Sequence, residues 1–545
     1  MPGINDFFIR ISFVLVVLFA CPALSVAQVQ GAIDIRIDIH KTYQTIGNFG
    51  ASDAWSCQFA GNWPQRAKDS IADWLFSMDT LANGDPKGIG LSLWRFNIGA
   101  GSAQQGDSSG IRDEWRRAES FLEKDGRYNW KRQQGQLWFL QAARQRGVKQ
   151  FLGFFNSPPV QLTVNGKAYA SKGRCNIDSL RCDAFAGYAA DVVKGIKKTF
   201  GIGLDYICPV NEPQWDWSDG GQEGCPYSNR EISAVVKAFN AALVKEKLAT
   251  RIVVSESGHH KYLLADADKP GKGKQVEAFF DASSPEYIGD LSHVSKVIAS
   301  HSYFSVAPAA SAMDMREKVA QRVASVKGLV YWQSEYCVLG DNAGEINGAK
   351  RDLGMNAALH VARVIYSDLA IGNASAWQWW LALSPYNYKD GLIYIDKNKA
   401  GGNYSDSKML WAFGNYSRFI RPGMVRVDAA VGGAAQAEAG AGVQAGAGVQ
   451  AEAGAGVQAA AKGGDSVLVS AYKDEQKKKL VIVVINSGTE ERLLTVGGAA
   501  IPANGKWDVY TTSESKSLEK HTVPAGAVAI SPRTVVTFET VYSDR

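Results

Sequence analysis

The strongest constraint on the fold is an alternation of short apolar runs with longer amphipathic stretches, repeated eight times between residues 46 and 420. Each apolar run is nearly continuous, which is typical of strands buried on both faces of a parallel sheet. An open doubly wound sheet would not require eight regular units, and no glycine-rich phosphate loop follows the first run. The pattern therefore predicts an α/β fold with a (β/α)8 TIM barrel. The predicted strands span 46–51, 91–98, 150–156, 206–211, 251–257, 297–303, 329–335 and 375–381, and the predicted helices span 65–78, 136–146, 183–200, 229–248, 313–327 and 351–369.

The pattern changes on both sides of the barrel. Apolar and polar residues alternate over 32–39, and five strand-like runs lie after Pro422. We therefore predict a side β-sandwich formed by residues 32–45 and 421–545. An Ala- and Gly-rich repeat at 432–464 has too few large side chains to bury a core, so we expect it to be a surface insertion.

The N-terminus predicts export. Arg10 precedes a short apolar run, and small residues follow at Ser25, Val26 and Ala27, so residues 1–27 are interpreted as a signal peptide. A weaker lipoprotein pattern ends at Cys21, which would instead anchor the chain by a lipid. No later run is apolar for long enough to span a membrane. The expected location is therefore secreted or extracytoplasmic.

The cysteines and the net charge indicate which disulfides, metals and partners to expect. Six cysteines follow the predicted signal peptide, and the sequence favours Cys175 and Cys182, in one polar loop, as a disulfide pair. The net charge of +5 is small for 545 residues and has no focus, which argues against nucleic acid as a partner. No cysteine or histidine spacing indicates a metal site, and no cofactor is predicted.

Two glutamates follow predicted strands on facing sides of the barrel. Glu212 follows Asn211 at the end of the fourth strand, and Glu335 ends the seventh. Side chains at the C-terminal ends of barrel strands point into the active site. Hydrolysis of a glycosidic bond requires two carboxyl groups flanking the anomeric carbon. Either residue alone could be a structural ion pair or a helix cap, but the two together, near several Trp residues, favour catalysis.

Six segments, spread over nearly the whole barrel, resemble glycoside hydrolase family 30. They are GNFGASDAW (47–55), LWRFNIG (93–99), FNSPP (155–159), PVNEPQWDW (209–217), WQSE (332–335) and GNYSRFIRPG (414–423). The resemblance implies a barrel with a side β-sandwich and a retaining double-displacement mechanism. It implies Glu335 as the nucleophile, Glu212 as the acid/base and Asn211 as the residue that binds the sugar 2-hydroxyl. Arg95 would pair with Glu335, although a purely structural salt bridge would have the same geometry.

Other candidate site residues follow from their positions at strand ends. His301 and Tyr303 are expected beside Glu335, where the Tyr hydroxyl would bond the nucleophile, and core packing is the alternative for His301. Asp53 and Trp55 are expected to bind sugar hydroxyls and a ring face, with helix capping as the alternative for Asp53. Glu256 is the rival carboxylate, with a supporting or substrate-contacting role. One residue of Trp377 and Trp379, which share a strand face, is expected to contact substrate.

The loops indicate the substrate class. Residues 156–166 and 214–228 are most similar to the endo-β-1,6-galactanase branch of the family, so the expected partner is a polysaccharide, β-1,6-galactan as on arabinogalactan. A β-1,4-xylanase or a β-1,6-glucanase is the enzymatic alternative. A carbohydrate-binding protein with a defective site is the alternative from another class, and the presence of both glutamates argues against it.

Overall fold

The computed structural model describes residues 32–340, 343–432, 467–498, 500–502 and 505–543. The predicted signal peptide at 1–27, the lipid-anchor candidate Cys21 and almost all of the repeat at 432–464 lie outside these residues. Among the described helices, none is both long and apolar enough to cross a membrane.

Eight parallel strands form a closed barrel, which confirms the predicted fold class. The ninth strand of the chain, β9, pairs with β2 on one side and with β8 on the other, so the ring closes. β1 (Ile33–Thr45) precedes the barrel and belongs to another sheet. The barrel strands are β2 (Asn48–Ser52), β3 (Leu93–Asn97), β4 (Gln150–Phe154), β5 (Tyr206–Cys208), β6 (Arg251–Ser257), β7 (Val294–His301), β8 (Val330–Glu335) and β9 (Ala374–Ser384).

Helices surround the barrel and are delimited by local sequence signals. A capping box of Ser228 and Glu231 begins the sixth helix, and Gly201, at φ +69°, ends the fifth in a left-handed conformation that favours glycine. The helices are α1 (Cys57–Ala60), α2 (Gln65–Phe76), α3 (Ser102–Gln105), α4 (Gln134–Gln145), α5 (Cys182–Phe200), α6 (Asn229–Lys245), α7 (Lys261–Leu264), α8 (Gln275–Phe280), α9 (Ala309–Ala324), α10 (Met355–Tyr366) and α11 (Lys408–Ser417).

Nine strands form the second sheet, which takes its strands from both ends of the chain. Two further strands, β10 (Gly391–Ile395) and β11 (Tyr404–Asp406), extend the barrel sheet beyond β9. Besides β1, the second sheet contains β12 (Val425–Gly432), β13 (Val467–Asp474), β14 (Lys479–Asn486), β15 (Arg492–Gly497), β16 (Lys506–Thr512), β17 (Glu519–Pro524), β18 (Ala527–Ile530) and β19 (Thr534–Val541). The order of its nine strands is β17-β16-β19-β14-β13-β12-β1-β15-β18.

The side chains of β14 belong alternately to two apolar cores, that of the second sheet and that of the barrel. Leu480, Ile482 and Val484 belong to the apolar core of the second sheet, to which strands from both ends of that sheet contribute. Val481 and Val483 belong to the core that contains the barrel, where β13, β14 and β19 pack against α10. Because successive side chains of a strand point to opposite faces, this one strand is buried on both sides.

The predicted Cys175–Cys182 disulfide is wrong. All six cysteines of the described residues are free thiols. Cys182 opens α5 and directs its Sγ to the carbonyl oxygen of Asp178, 3.6 Å away. The Cys175 thiol instead lies 3.4 Å from the carbonyl oxygen of Ile177 and within hydrogen-bonding reach of the Cys225 thiol. Proximity in sequence therefore predicted a disulfide that the structure does not contain.

Arg418, at the end of α11, is expected to contribute measurably to the free energy of unfolding. Its guanidinium is buried and donates to the carbonyl oxygens of Ser77, Met78, Asp79 and Gly88 at 2.7–3.0 Å. Removal of the side chain takes this donor away from the buried carbonyl oxygens of Ser77 and Gly88. We expect Arg418→Ala to lower the free energy of unfolding by about 2–4 kcal/mol, as measured by urea denaturation.

The matched control is Arg36→Ala. The Arg36 side chain is 80% exposed and pairs with Asp34 two residues away. We expect a change of no more than about 0.5 kcal/mol. Equal effects of the two substitutions would contradict the assignment of Arg418 as the link between α11 and the segment after α2.

Candidate active site

The two predicted catalytic carboxylates lie together at the C-terminal end of the barrel. Glu335 is the last residue of β8, and Glu212 lies four residues beyond the end of β5. Both are largely buried, and a carboxylate oxygen of one lies within 4.8 Å of a carboxylate oxygen of the other. Retaining glycosidases place their two carboxyl groups roughly 5–5.5 Å apart, whereas inverting enzymes need about 6.5–9.5 Å. The spacing therefore matches a retaining pair.

Arg95, in the middle of β3, is fully buried beneath this pair. Its Nη1 donates to Glu335 Oε2 at 2.5 Å, and its Nη2 donates to Glu256 Oε2 at 3.0 Å and to Asn211 Oδ1 at 3.1 Å. The guanidinium also lies 3.9 Å from the centroid of the Phe154 ring. Burial alone would lower the pKa of Arg95, but the carboxylates of Glu256 and Glu335 raise it above its usual value. Arg95 therefore remains a cation.

His301 joins the acid/base candidate to the same network. Its Nδ1 lies 3.0 Å from Glu212 Oε1, and its Nε2 lies 3.0 Å from Glu256 Oε2. Glu335 Oε1 is 3.6 Å from Nδ1. Burial disfavours the charged ring, yet these three carboxylates raise the pKa of His301 to about 10. At neutral pH the ring is an imidazolium, which donates a hydrogen bond from each nitrogen.

The nucleophile candidate and Asn211 have further partners. Tyr303 donates its hydroxyl to Glu335 Oε1 at 3.1 Å. Burial raises the pKa of Glu335, whereas His301 and Arg95 act in the opposite direction. The Asn211 side chain accepts from Arg95 and donates from Nδ2 to Asn156 Oδ1 at 3.2 Å, which fixes its orientation. The structure thus brings together Glu212, Glu335, Asn211, Arg95, His301 and Tyr303, which the sequence expected at one site.

Asp53 and Trp55 lie at the edge of this cluster. Asp53 is fully buried and its Oδ1 accepts from the backbone N–H of Asn97 at 2.7 Å and from Gln136 Nε2 at 3.2 Å. Burial raises the pKa of Asp53 to about 8. The residue caps no helix, since the N-cap of α1 is Ser56. The Asp53 carboxyl group therefore joins the loop after β2 to the end of β3, and its role toward a sugar stays a prediction.

The prediction that Trp377 or Trp379 contacts substrate is wrong for both residues. Each is fully buried on the outer face of β9. Trp377 Nε1 donates to Asp368 Oδ2 at 2.9 Å, and Trp379 Nε1 donates to the carbonyl oxygens of Leu381 and Asp390. The two residues do share a strand face, but that face is directed to the helices rather than to the barrel interior.

Trp380, on the other face of β9, was not among the predicted site residues. Its ring lies 5.3 Å from the Trp55 ring at 89°, and the Arg95 guanidinium lies 5.8 Å from its centroid. Trp55 Nε1 is buried and has no hydrogen-bond partner among the described residues. Together the two rings form an aromatic wall beside the carboxylates. Gln378 and Trp380 share a face of β9, and the Gln378 side chain donates to Asn48 inside the barrel. This shared face would have identified Trp380 as a residue that points inward.

Glu212, His301 and Glu335 are also the group that could hold a metal ion by distance alone. Their chemistry does not suit one. The neighbouring carboxylates raise the pKa of His301 to about 10, and a ring charged at neutral pH offers no nitrogen lone pair to a metal. Arg95 already neutralises Glu335. A divalent ion would have to displace two cations from this buried site.

Two facing carboxylates, at the separation found in retaining enzymes and at the C-terminal end of a (β/α)8 barrel, are typical of a glycoside hydrolase. Comparison with known families agrees. The family model described as O-Glycosyl hydrolase family 30 matches residues 32–394. The chain therefore belongs to glycoside hydrolase family 30, which confirms the resemblance found in the sequence.

Individual relatives extend this comparison. An endo-β-1,6-galactanase of Hypocrea rufa is 24% identical over 409 residues, which cover 72% of this chain and 75% of the relative. A conserved exported protein of Bacteroides fragilis is similar in structure, with a TM-score of 0.81 and 30% identity over 93% of this chain and 100% of the other. The catalytic domain of xylanase C of Talaromyces cellulolyticus has a TM-score of 0.63 and 19% identity, over 94% and 100% of the two chains.

The raised pKa of His301 predicts how stability depends on pH. A group whose pKa rises from 6.5 to about 10 on folding stabilises the fold fully below pH 6.5, and this contribution disappears as the pH rises through 10. We expect the stability difference between the wild type and His301→Asn to shrink by roughly 2–4 kcal/mol from pH 6 to pH 10, as measured by urea unfolding. A difference independent of pH would show that the folded protein holds His301 neutral.

Proposed function

We propose that this protein is a secreted retaining endo-glycosidase that hydrolyses β-1,6-galactan by double displacement. The observation that carries the mechanism is the approach of Glu212 and Glu335 to within 4.8 Å. In the first step, Glu335 attacks the anomeric carbon while Glu212 gives its proton to the departing glycosidic oxygen. In the second step, Glu212 takes a proton from water, and that water displaces Glu335 from the glycosyl-enzyme.

The neighbours of the pair would serve these two steps. Arg95 and Tyr303 both bond the Glu335 carboxylate, so they orient it and hold it as an anion before attack. Asn211 is fixed by Arg95 and Asn156, which suits it to bind the 2-hydroxyl next to the reacting carbon. Hydrogen bonds to that hydroxyl strengthen in the transition state and therefore contribute to rate.

The choice of β-1,6-galactan is supported by sequence likeness in the loops and by the galactanase relative. The loop at 156–166 carries no Trp. Near Glu212, Trp215 is half-buried and lies 6.0 Å from the rings of Tyr262 and Phe304. The accessible part of the Trp215 ring offers an apolar face to a sugar on the acid/base side. A second candidate, a protein that binds glycan without cleaving it, is not favoured, since both carboxylates are present and have oxygens within 4.8 Å of each other.

Variants of the two carboxylates test the mechanism. Glu335→Ala and Glu212→Ala should each lower kcat by roughly 10³-fold or more. Azide should restore turnover of Glu212→Ala on a substrate with an activated leaving group, because the anion can attack the glycosyl-enzyme without base catalysis. The matched control is Glu114→Ala. The half-exposed Glu114 side chain pairs with Lys399, and its removal should leave kcat unchanged. Substantial activity of Glu335→Ala would overturn the assignment of the nucleophile.

Product analysis tests the substrate. The purified protein is incubated side by side with β-1,6-galactan, β-1,4-xylan and β-1,6-glucan, and the products are separated by size. We expect short β-1,6-galactose oligomers from the first glycan alone, which would establish both linkage and endo action. Cleavage of xylan or of the glucan instead would reject the galactanase assignment but retain the retaining mechanism.

Export is part of the same proposal, supported by the N-terminal pattern and by a structural relative described as exported. Expression in an exporting bacterial host and mass measurement of the mature chain would test it. We expect cleavage after Ala27. A mature chain that begins at a lipidated Cys21 would replace the free secreted form by an anchored one, and an uncleaved chain retained inside the cell would contradict export.

A further inference from the structure

We propose that Glu256 is a positioning residue of the active site, whose buried carboxylate holds Arg95 and His301 against the two catalytic carboxylates and keeps His301 charged throughout the reaction. This inference rests on the proposed glycosidase mechanism for its kinetic consequence, but not for its structural one. Of the two roles that the sequence left open for Glu256, supporting or substrate-contacting, it favours the supporting one.

Both carboxylate oxygens of Glu256 are bound by protein groups. Its Oε2 accepts from Arg95 Nη2 and from His301 Nε2, both at 3.0 Å. Its Oε1 accepts from the Cys208 thiol at 3.1 Å. The side chain has no exposed surface. A carboxylate in this setting can neither attack an anomeric carbon nor bind a sugar hydroxyl, so its contribution must pass through its partners.

Each cation that Glu256 binds reaches a catalytic carboxylate with its other end. Arg95 Nη1 bonds Glu335 Oε2, and His301 Nδ1 bonds Glu212 Oε1. The five side chains form one chain of alternating charge, in the order Glu335, Arg95, Glu256, His301 and Glu212. Glu256 is the central anion, and its removal would leave two buried cations with one fewer counter-charge between them.

The backbone at Glu256 is coupled directly to that at Glu212. Glu256 has φ +51° and Glu212 has φ +44°, left-handed values that are costly for residues with side chains. The Glu212 N–H donates to the Glu256 carbonyl oxygen at 2.8 Å. Strain of this kind persists only where the surroundings hold it, and here it places both carboxyl groups at the ends of adjacent strands.

The charges explain why His301 should not titrate during catalysis. Although burial opposes it, the charges of Arg95 and His301 lower the pKa of Glu256 to about 2, and the surrounding carboxylates raise that of His301 to about 10. The groups that face this pair are Arg95 on β3, the Cys208 thiol on β5, Glu212 beyond β5, Glu335 on β8, and His260 and Tyr303 beside His301. Arg95 keeps its positive charge, and burial raises the pKa of the Cys208 thiol well above its usual value, so that the thiol stays neutral.

A permanently charged His301 constrains where the Glu212 proton goes. A neutral imidazole could accept a hydrogen bond at Nδ1 from protonated Glu212 and would compete with the departing glycosidic oxygen for that proton. An imidazolium has no free lone pair and can only donate. Glu212 Oε1 is therefore an acceptor in both protonation states, and the acidic proton resides on Oε2, from which it can be transferred to the leaving group.

The test combines kinetics with a titration that needs no substrate. Glu256→Gln keeps the volume of the side chain but removes its charge. We expect kcat to fall by about 100-fold with KM changed by less than about threefold, because the interaction lost is not made to substrate.

In two-dimensional NMR of ¹⁵N-histidine-labelled protein, assigned with His301→Asn, we expect wild-type His301 to remain charged to pH 9. In Glu256→Gln we expect it to titrate between pH 5 and 8.

Glu246→Gln is the matched control. It makes the same change of charge at a partly buried carboxylate that pairs with Lys194 of α5, on the outer helices and away from the active site. We expect kcat within about twofold of wild type and an unchanged His301 titration.

Three results would overturn the proposal. They are wild-type His301 that titrates below pH 8, a folded Glu256→Gln with wild-type kcat, and a raised KM at unchanged kcat, which would instead make Glu256 a substrate contact. The first needs no variant and therefore tests the proposal even if Glu256→Gln does not fold. Absence of turnover on every glycan would reject the proposed function, whereas the His301 titration would still support or reject the role of Glu256 on its own.

Discussion

The active site depends on a guanidinium with no access to water. A buried charge of this kind is tolerated only when anions and hydrogen-bond acceptors surround it. Arg95 meets this requirement with two carboxylates and an amide, contributed after three different barrel strands. Because the guanidinium is planar and rigid, it also fixes where those groups lie relative to one another. The position of Glu335, and through Glu256 that of Glu212, follows from this one residue.

The barrel provides the conditions under which these charges act strongly. Its strands are parallel and short, so their C-terminal ends converge on one small region, and the rings of Phe154 and Trp380 lie against the Arg95 guanidinium. In such surroundings the effective dielectric constant is low, and interactions between charges exceed those in water. This explains why neighbouring carboxyl groups have different pKa shifts, raised for Glu335 and lowered for Glu256.

The loops around the site are held by another buried acid. Glu223, in the loop before α6, accepts from the backbone N–H groups of Ala100 and Ser102 and from the Ser102 hydroxyl. Burial raises its pKa to about 7. The carboxyl group joins the loop after β3 to the loop after β5, on the side of the barrel that carries Glu212. Substrate-facing loops are thus attached to the scaffold by specific hydrogen bonds rather than by apolar packing alone.

The sequence by itself determined the eight βα units, the strand ends and the motifs at Glu212 and Glu335, because buried parallel strands and short motifs leave local patterns. It left open which face of β9 points inward, so Trp377 and Trp379 were chosen over Trp380. It favoured Cys182 as the partner of Cys175 and gave no sign that Glu256 lies between Arg95 and His301. Those features are contacts between residues far apart in the chain, and only the closure of the barrel brings them within hydrogen-bonding distance.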